Sequence, residues 1–213
     1  MRWWIRSQHP AWAVGIALVG TVVVIAAPDS FGLPIPSLDG PTAFASIRPY
    51  ALVAVLITVG AWASVSAGYK SAILAATRAI RLYVFAFLCA IVGVCGLLGG
   101  AWGILTGAVS NPTQLLLRDV LGLLGLGLIF VPCTGYRFAG IVSTVYVFIS
   151  AIFGRTSHGD TALWAWPMSD SSDPEFWTPA IILFVLGGVT WVLRSGGRYP
   201  RVMIAQAMDA RRE

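Results

Sequence analysis

Apolar residues run through this chain in long blocks, and the polar residues between them fall into short clusters. A helix that crosses a bilayer needs roughly 17 to 25 predominantly apolar residues at about 1.5 Å rise each. Blocks of that order cover residues 11–27, 50–66, 83–105, 113–131, 136–154 and 177–193, so the pattern predicts six transmembrane helices. The fold class that follows is an all-α integral membrane protein, with residues 1–213 forming one transmembrane domain. Residues 1–10 mix Trp3 and Trp4 with Arg2 and Arg6, as expected of a headgroup-level segment leading into a retained anchor helix.

The intervals between blocks differ in kind. Residues 67–82 carry Ala72, Ile73, Ala76, Ala79 and Ile80 at helical spacing, with Lys70, Arg78 and Arg81 at polar positions, which predicts a short amphipathic connector. A soluble partner docking there and a helix resting on lipid phosphates are both compatible with it. Residues 28–49 hold five prolines and read as a long irregular outer loop. Residues 155–176 form a second long outer loop, where Trp164, Trp166 and Pro167, followed by Trp177, suggest an interfacial or re-entrant segment. Pro132 to Tyr136, PCTGY, reads as a sharp turn between the fourth and fifth blocks. The fifth block is β-branched and aromatic, including Tyr146, consistent with lipid contact.

The fourth block, TQLLLRDVLGLLGLGLIFV, contains adjacent charges, Arg118 and Asp119. Val120 to Val131 alone are too few to cross, so the charges should stand at the mouth of the span. Neighbouring residues on a helix point about 100° apart, which predicts that each charge draws its main partners from elsewhere. Arg118 shares a face with Gly122 and Gly125, a small-residue stripe along which another helix could approach. One reading gives the pair a place in transport, facing protein or a water-filled path. The other has Arg118 reaching the outer headgroups while Asp119 caps the helix start. In the third block Gly93, Gly96, Gly100, Gly103 and Gly107 are spaced 3, 4, 3 and 4, a stripe expected to pack against a helix of the same chain or of a dimer partner.

Composition strengthens the membrane reading: the residues are 57% apolar and 11% charged, and mean hydropathy is +0.80. That excludes an ordinary soluble domain. The formal charge of +5 is unevenly placed. With the N-terminus in the cytoplasm, eleven of the fourteen basic residues lie inside and only Arg48, Arg118 and Arg155 outside, which predicts an N-in, C-in topology. The basic excess is then a topology signal and calls for no nucleic acid. Cys89, Cys95 and Cys133 fall within or at the inner end of spans and suggest neither a disulfide nor a metal site. Cys89 and Cys95 are about 240° apart on a helix, so they share no face.

Catalytic patterns are missing from the sequence. GxxxxGK[ST], HExxH, GxSxG and CxxC do not occur, so no ATP site, cofactor or metal is expected in this chain and it does not read as an enzyme. His9 lacks a nearby acid, and His158 with Asp160 falls short of the three or four ligands of a zinc site or the members of a triad. An intramembrane enzyme using His158 or Asp119 is the least favoured reading.

The run LRDVLGLLGLGL from Leu117, WAWP at Trp164 to Pro167 and Trp177 at the head of the last block resemble the small six-span membrane subunits of ABC-2-type exporters from actinobacteria. In that family an Arg-Asn pair opens the fourth span and a tryptophan-rich outer segment ends in proline. Arg118 matches, Leu121, Gly122, Gly125 and Leu126 fit the pattern that follows, and Trp164, Trp166 and Pro167 fit the outer one; Asp119 stands where Asn is expected. The resemblance covers about the C-terminal half. It implies a multi-pass permease in a bacterial plasma membrane that pairs with a second copy or a sister subunit. A separate ATPase holding ATP and Mg would dock at Tyr69, Lys70, Arg78 and Arg81, and Trp164, Trp166, Pro167 and Trp177 would form an outer gate. A non-transporting accessory subunit of a larger membrane complex explains the glycine stripe and basic connector equally well.

Overall fold

The structure, a computed structural model, describes residues 10–26, 32–36, 44–72, 80–106, 111–156, 160–169 and 174–193. Its elements are α1 (Pro10–Ala26), β1 (Leu33–Pro36), β2 (Phe44–Ile47), α2 (Pro49–Ala72), α3 (Ile80–Thr106), α4 (Asn111–Thr134), α5 (Tyr136–Phe153), a 3-10 helix (Leu163–Met168) and α6 (Pro174–Leu193). Proline stands first in α1, α2 and α6 and second in α4. In the first helical turn its missing N–H would have had no partner anyway, and its fixed φ suits the helix.

Five stretches, Pro49–Ala67, Arg81–Leu105, Pro112–Thr134, Tyr136–Phe153 and Pro174–Leu193, are long and apolar enough to cross a membrane. The expected sixth span is not among them. α1 is apolar but only 17 residues long, about 25 Å at the helical rise against a hydrocarbon core of about 30 Å. The outward faces are apolar too, with Leu97, Ile104 and Leu105 of α3 and Val185 and Leu186 of α6 exposed. Apolar blocks that stay apolar on the outside identify a multi-pass membrane protein.

α4 is the centre of the bundle. Its span is 72% buried, whereas those of α3 and α6 are each 22% buried. α4 packs on α6, α2, α5, α3 and α1, and the core runs through Val120, Leu123, Leu124 and Leu128 of α4 with Ile57, Trp62, Leu88 and Val147 from its neighbours. Val147 is therefore a core residue, although Ile141, Val145, Phe148 and Ile149 of α5 face outward.

The connections depart from the sequence expectation in three places. The 67–82 connector is not a separate helix along its length: α2 continues to Ala72 and α3 begins at Ile80. Residues 73–79 lie outside the described residues. The proline-rich outer loop contains an antiparallel ribbon, with Leu33 opposite Ile47 and Pro36 opposite Phe44. Both strands are edges, so Pro34 and Pro36 need donate no ladder bond on their free side, and Ile47 at the ribbon's end is buried in the core. The turn between α4 and α5 is Gly135 alone, with α4 running through Pro132 to Thr134. Gly135 takes φ of 81°, which an L side chain resists, while its N–H donates to the Val131 carbonyl at 2.8 Å.

Candidate functional site

Arg118 and Asp119 lie about two turns inside α4, and both are 0% exposed. That overturns the mouth-of-span placement and the reading in which arginine snorkels and aspartate caps: α4 starts at Asn111, and neither group reaches the bundle surface. The expectation that the two draw their main partners from elsewhere is also corrected for Asp119. Arg118 Nε donates to Asp119 Oδ1 at 3.1 Å. The long arginine stem bends back over the angle that separates the two Cβ atoms.

The remaining Arg118 donors go to the second outer loop. Arg118 Nη2 donates to the Trp166 carbonyl at 2.6 Å and to the Ser169 carbonyl at 3.0 Å. These carbonyls need an outside donor because a 3-10 helix of six residues leaves its last C=O groups without intrahelical partners, and Pro167 has no N–H to offer. A planar guanidinium carries several donors in one fork, so a single arginine holds both carbonyls and the carboxylate.

The loop reaches this position by doubling back. Thr156 N donates to Asp160 O and Ala162 N to Gly154 O, both at 2.8 Å, which returns the chain to the end of α5 before the 3-10 helix begins. Tyr146 of α5 donates its hydroxyl to the Trp164 carbonyl, and its ring packs on Trp166 at 4.8 Å between centroids. Tyr50, in the first turn of α2, donates to the Ser169 carbonyl at 3.4 Å. Side chains from α2, α4 and α5 thus hold the backbone of one short segment at Trp164, Trp166 and Ser169.

Small residues let the segment and α6 come close to α4. A Cβ at Gly122 would fall 2.6 Å from Trp166 Cζ2 and 3.0 Å from Ala180 Cβ. One at Gly125 would meet the backbone of Leu183 and Phe184, and Gly187 of α6 faces the Gly125 carbonyl in turn. Gly122 and Gly125 therefore serve a contact within the chain. The α3 glycines divide differently. Gly93 and Gly100 have open space where a Cβ would be, Gly96 makes ordinary contact with Leu117, and Gly103 is buried. Gly107 lies outside the described residues. The close approach on α3 is made by Gly99, next to Thr113 at 3.0 Å, a position the 3-4 spacing passes over.

The other predicted residues are scattered. Trp164, Trp166 and Pro167 share the 3-10 helix, with Trp166 and Pro167 buried and Trp164 exposed, while Trp177 is half-buried in the first turn of α6. Tyr69 and Lys70 belong to the last turn of α2. Arg81 packs inward: its guanidinium sits 5.3 Å from the Trp191 ring centroid, and Trp191 Nε1 donates to the Arg81 carbonyl at 3.2 Å. Arg78, His9 and His158 lie outside the described residues. Among those described, no group of His, Cys, Asp and Glu gathers as a metal site would require, Cys95 is buried, and Cys89 and Cys133 are exposed.

The anchors missed from sequence are Tyr50, Tyr146 and Ser169. Tyr146 did leave a signal, since a phenol within an apolar span needs a hydrogen-bond partner for its hydroxyl. No family model, curated protein or solved structure matches the chain.

Proposed function

We propose that this chain is the membrane-spanning permease subunit of an ATP-binding-cassette exporter of the ABC-2 type, with six spans and both termini in the cytoplasm of a bacterial cell. In this reading it moves an amphipathic or hydrophobic cargo across the plasma membrane, with a second copy or sister subunit beside it, when a separate ATPase drives it. The observation that carries the reading is the pair of unbroken helices on either side of residues 73–79: α2 has 24 residues and α3 has 27. At the helical rise they are about 36 and 40 Å long, enough to carry a displacement from the connector to the outer side. At its far end α2 holds the Ser169 carbonyl through Tyr50, so a shift of α2 pulls on the segment that bears Trp164 and Trp166.

The enclosure of Arg118 and Asp119 favours a second reading, a non-transporting accessory subunit, because these charges tie elements together and line no open path. Lys70→Glu with Arg78→Glu separates the two. Arg81 is left intact because it already packs on Trp191. An exporter subunit carrying both changes stays assembled and loses coupled ATP hydrolysis, whereas a scaffold loses assembly. Purification of the natural complex with no ATPase in stoichiometric amount overturns the exporter reading.

A further inference from the structure

Beside the Arg118–Asp119 pair, three buried polar atoms have no hydrogen-bond partner of normal geometry: Asp119 Oδ2, Ser150 Oγ and Trp166 Nε1. They come from α4, α5 and the 3-10 helix, and their residues are 0%, 1% and 1% exposed. Their neighbours draw them to one place. The Tyr146 hydroxyl lies beside Ser150 and within electrostatic reach of the Asp119 carboxylate, and the Tyr146 ring lies against Trp166. Trp166 Cε2, the carbon bonded to Nε1, would be 2.9 Å from a Cβ on Gly122, one turn beyond Asp119 on the same face of α4.

We propose that these three atoms hold one internal water molecule. The chemistry is complementary: the indole N–H only donates, the carboxylate oxygen only accepts, and the hydroxyl does either. A water receiving from Trp166 and donating to Asp119 and Ser150 makes about three hydrogen bonds, the usual number for a buried one. A cation fits less well, because Arg118 already supplies the positive charge opposite Asp119. Leaving the three atoms bare inside a membrane bundle would cost each its full desolvation. The water also links α4, α5 and the outer segment at a point where no side chain spans the gap, so it belongs to the same clamp as Arg118.

The test uses the full chain in lipid bilayers, with 15N-labelled indoles and water-to-protein magnetisation transfer in solid-state NMR. Trp166→Phe assigns the Trp166 signal by its disappearance. The expected result is rapid transfer from water to the Trp166 indole, and its loss in Ser150→Val, where a methyl group takes the place of the hydroxyl. Absence of transfer in the wild-type chain overturns the proposal without reference to any variant. Transfer that persists unchanged in a folded Ser150→Val chain also overturns it, because the water would then not be held by all three atoms.

Discussion

Replacing Arg118 with Met keeps most of the side-chain volume and removes every donor from the centre of α4. Three acceptors lose their partner at once: Asp119 Oδ1 at 3.1 Å, the Trp166 carbonyl at 2.6 Å and the Ser169 carbonyl at 3.0 Å. Breaking a buried ion pair from one side typically costs about 3–5 kcal/mol, because the other charge is left uncompensated. The carbonyls add less than their number suggests, since Ser169 keeps Tyr50 and the Trp166 carbonyl keeps the Ser169 N–H. Arg118→Met is therefore expected to lose about 3–5 kcal/mol, and the double variant Arg118→Met, Asp119→Leu to recover about 2 kcal/mol or more of that loss, because no lone charge remains. The recovery should stop short of wild type, as the two carbonyls still lack the guanidinium. Reversible unfolding in mixed micelles across the four members of the cycle measures the coupling, and limited proteolysis within residues 155–173 reports release of the outer segment. Additive effects of the two substitutions, with no coupling beyond error, would refute the reasoning.

Two further outcomes follow from packing and topology. Gly125→Ala pushes a methyl into the backbone of α6 at Leu183 and Phe184, which cannot rotate away, so the variant should lose about 1–3 kcal/mol of stability, whereas Gly100→Ala meets open space and should be neutral or stabilising by up to about 1 kcal/mol; thermal unfolding in one detergent compares them. Under the N-in, C-in arrangement, Cys133, exposed near the end of α4, lies on the cytoplasmic side. In a variant lacking Cys89 and Cys95, a membrane-impermeant maleimide should then label inside-out vesicles and not intact cells, and the opposite pattern would invert the topology.

The helices were legible in the sequence because each is announced by a property of its own residues: an apolar block, a proline in the first turn, a glycine at the stop. What lay outside reach was set by residues distant along the chain. Nothing near Arg118 indicates that its partners are Trp166 and Ser169, 48 and 51 residues away. The local angle between neighbours misled for Asp119, because it describes Cβ directions and takes no account of the length of an arginine stem. Glycine spacing on α3 picked out a regular series, yet Gly99 is the one beside Thr113 while Gly93 and Gly100 face open space. A stripe shows where close approach is permitted, and only the partner's position decides where it happens. On α4 the two coincide, since the face below Arg118 is the one onto which α6 and Trp166 fold.

A buried ion pair is weak evidence of stability, since well-packed apolar residues of equal volume often do as well or better. The pair in α4 is therefore better understood through what an apolar pair could not do. Leu and Met in its place would fill the volume and leave the ends of the 3-10 helix with carbonyls turned into a bundle that holds no bulk water. Lysine would bring charge without a planar fork reaching two carbonyls and a carboxylate together. Asp119 in turn occupies the guanidinium's remaining edge through Nε, which keeps the fork aimed at residues 166 and 169. Of these two neighbours, arginine binds the outer segment and aspartate holds arginine in place. It follows that Asp119→Asn, which keeps an acceptor oxygen for Nε, should disturb the segment less than any change at Arg118, and an asparagine suits this position for the same physical reason.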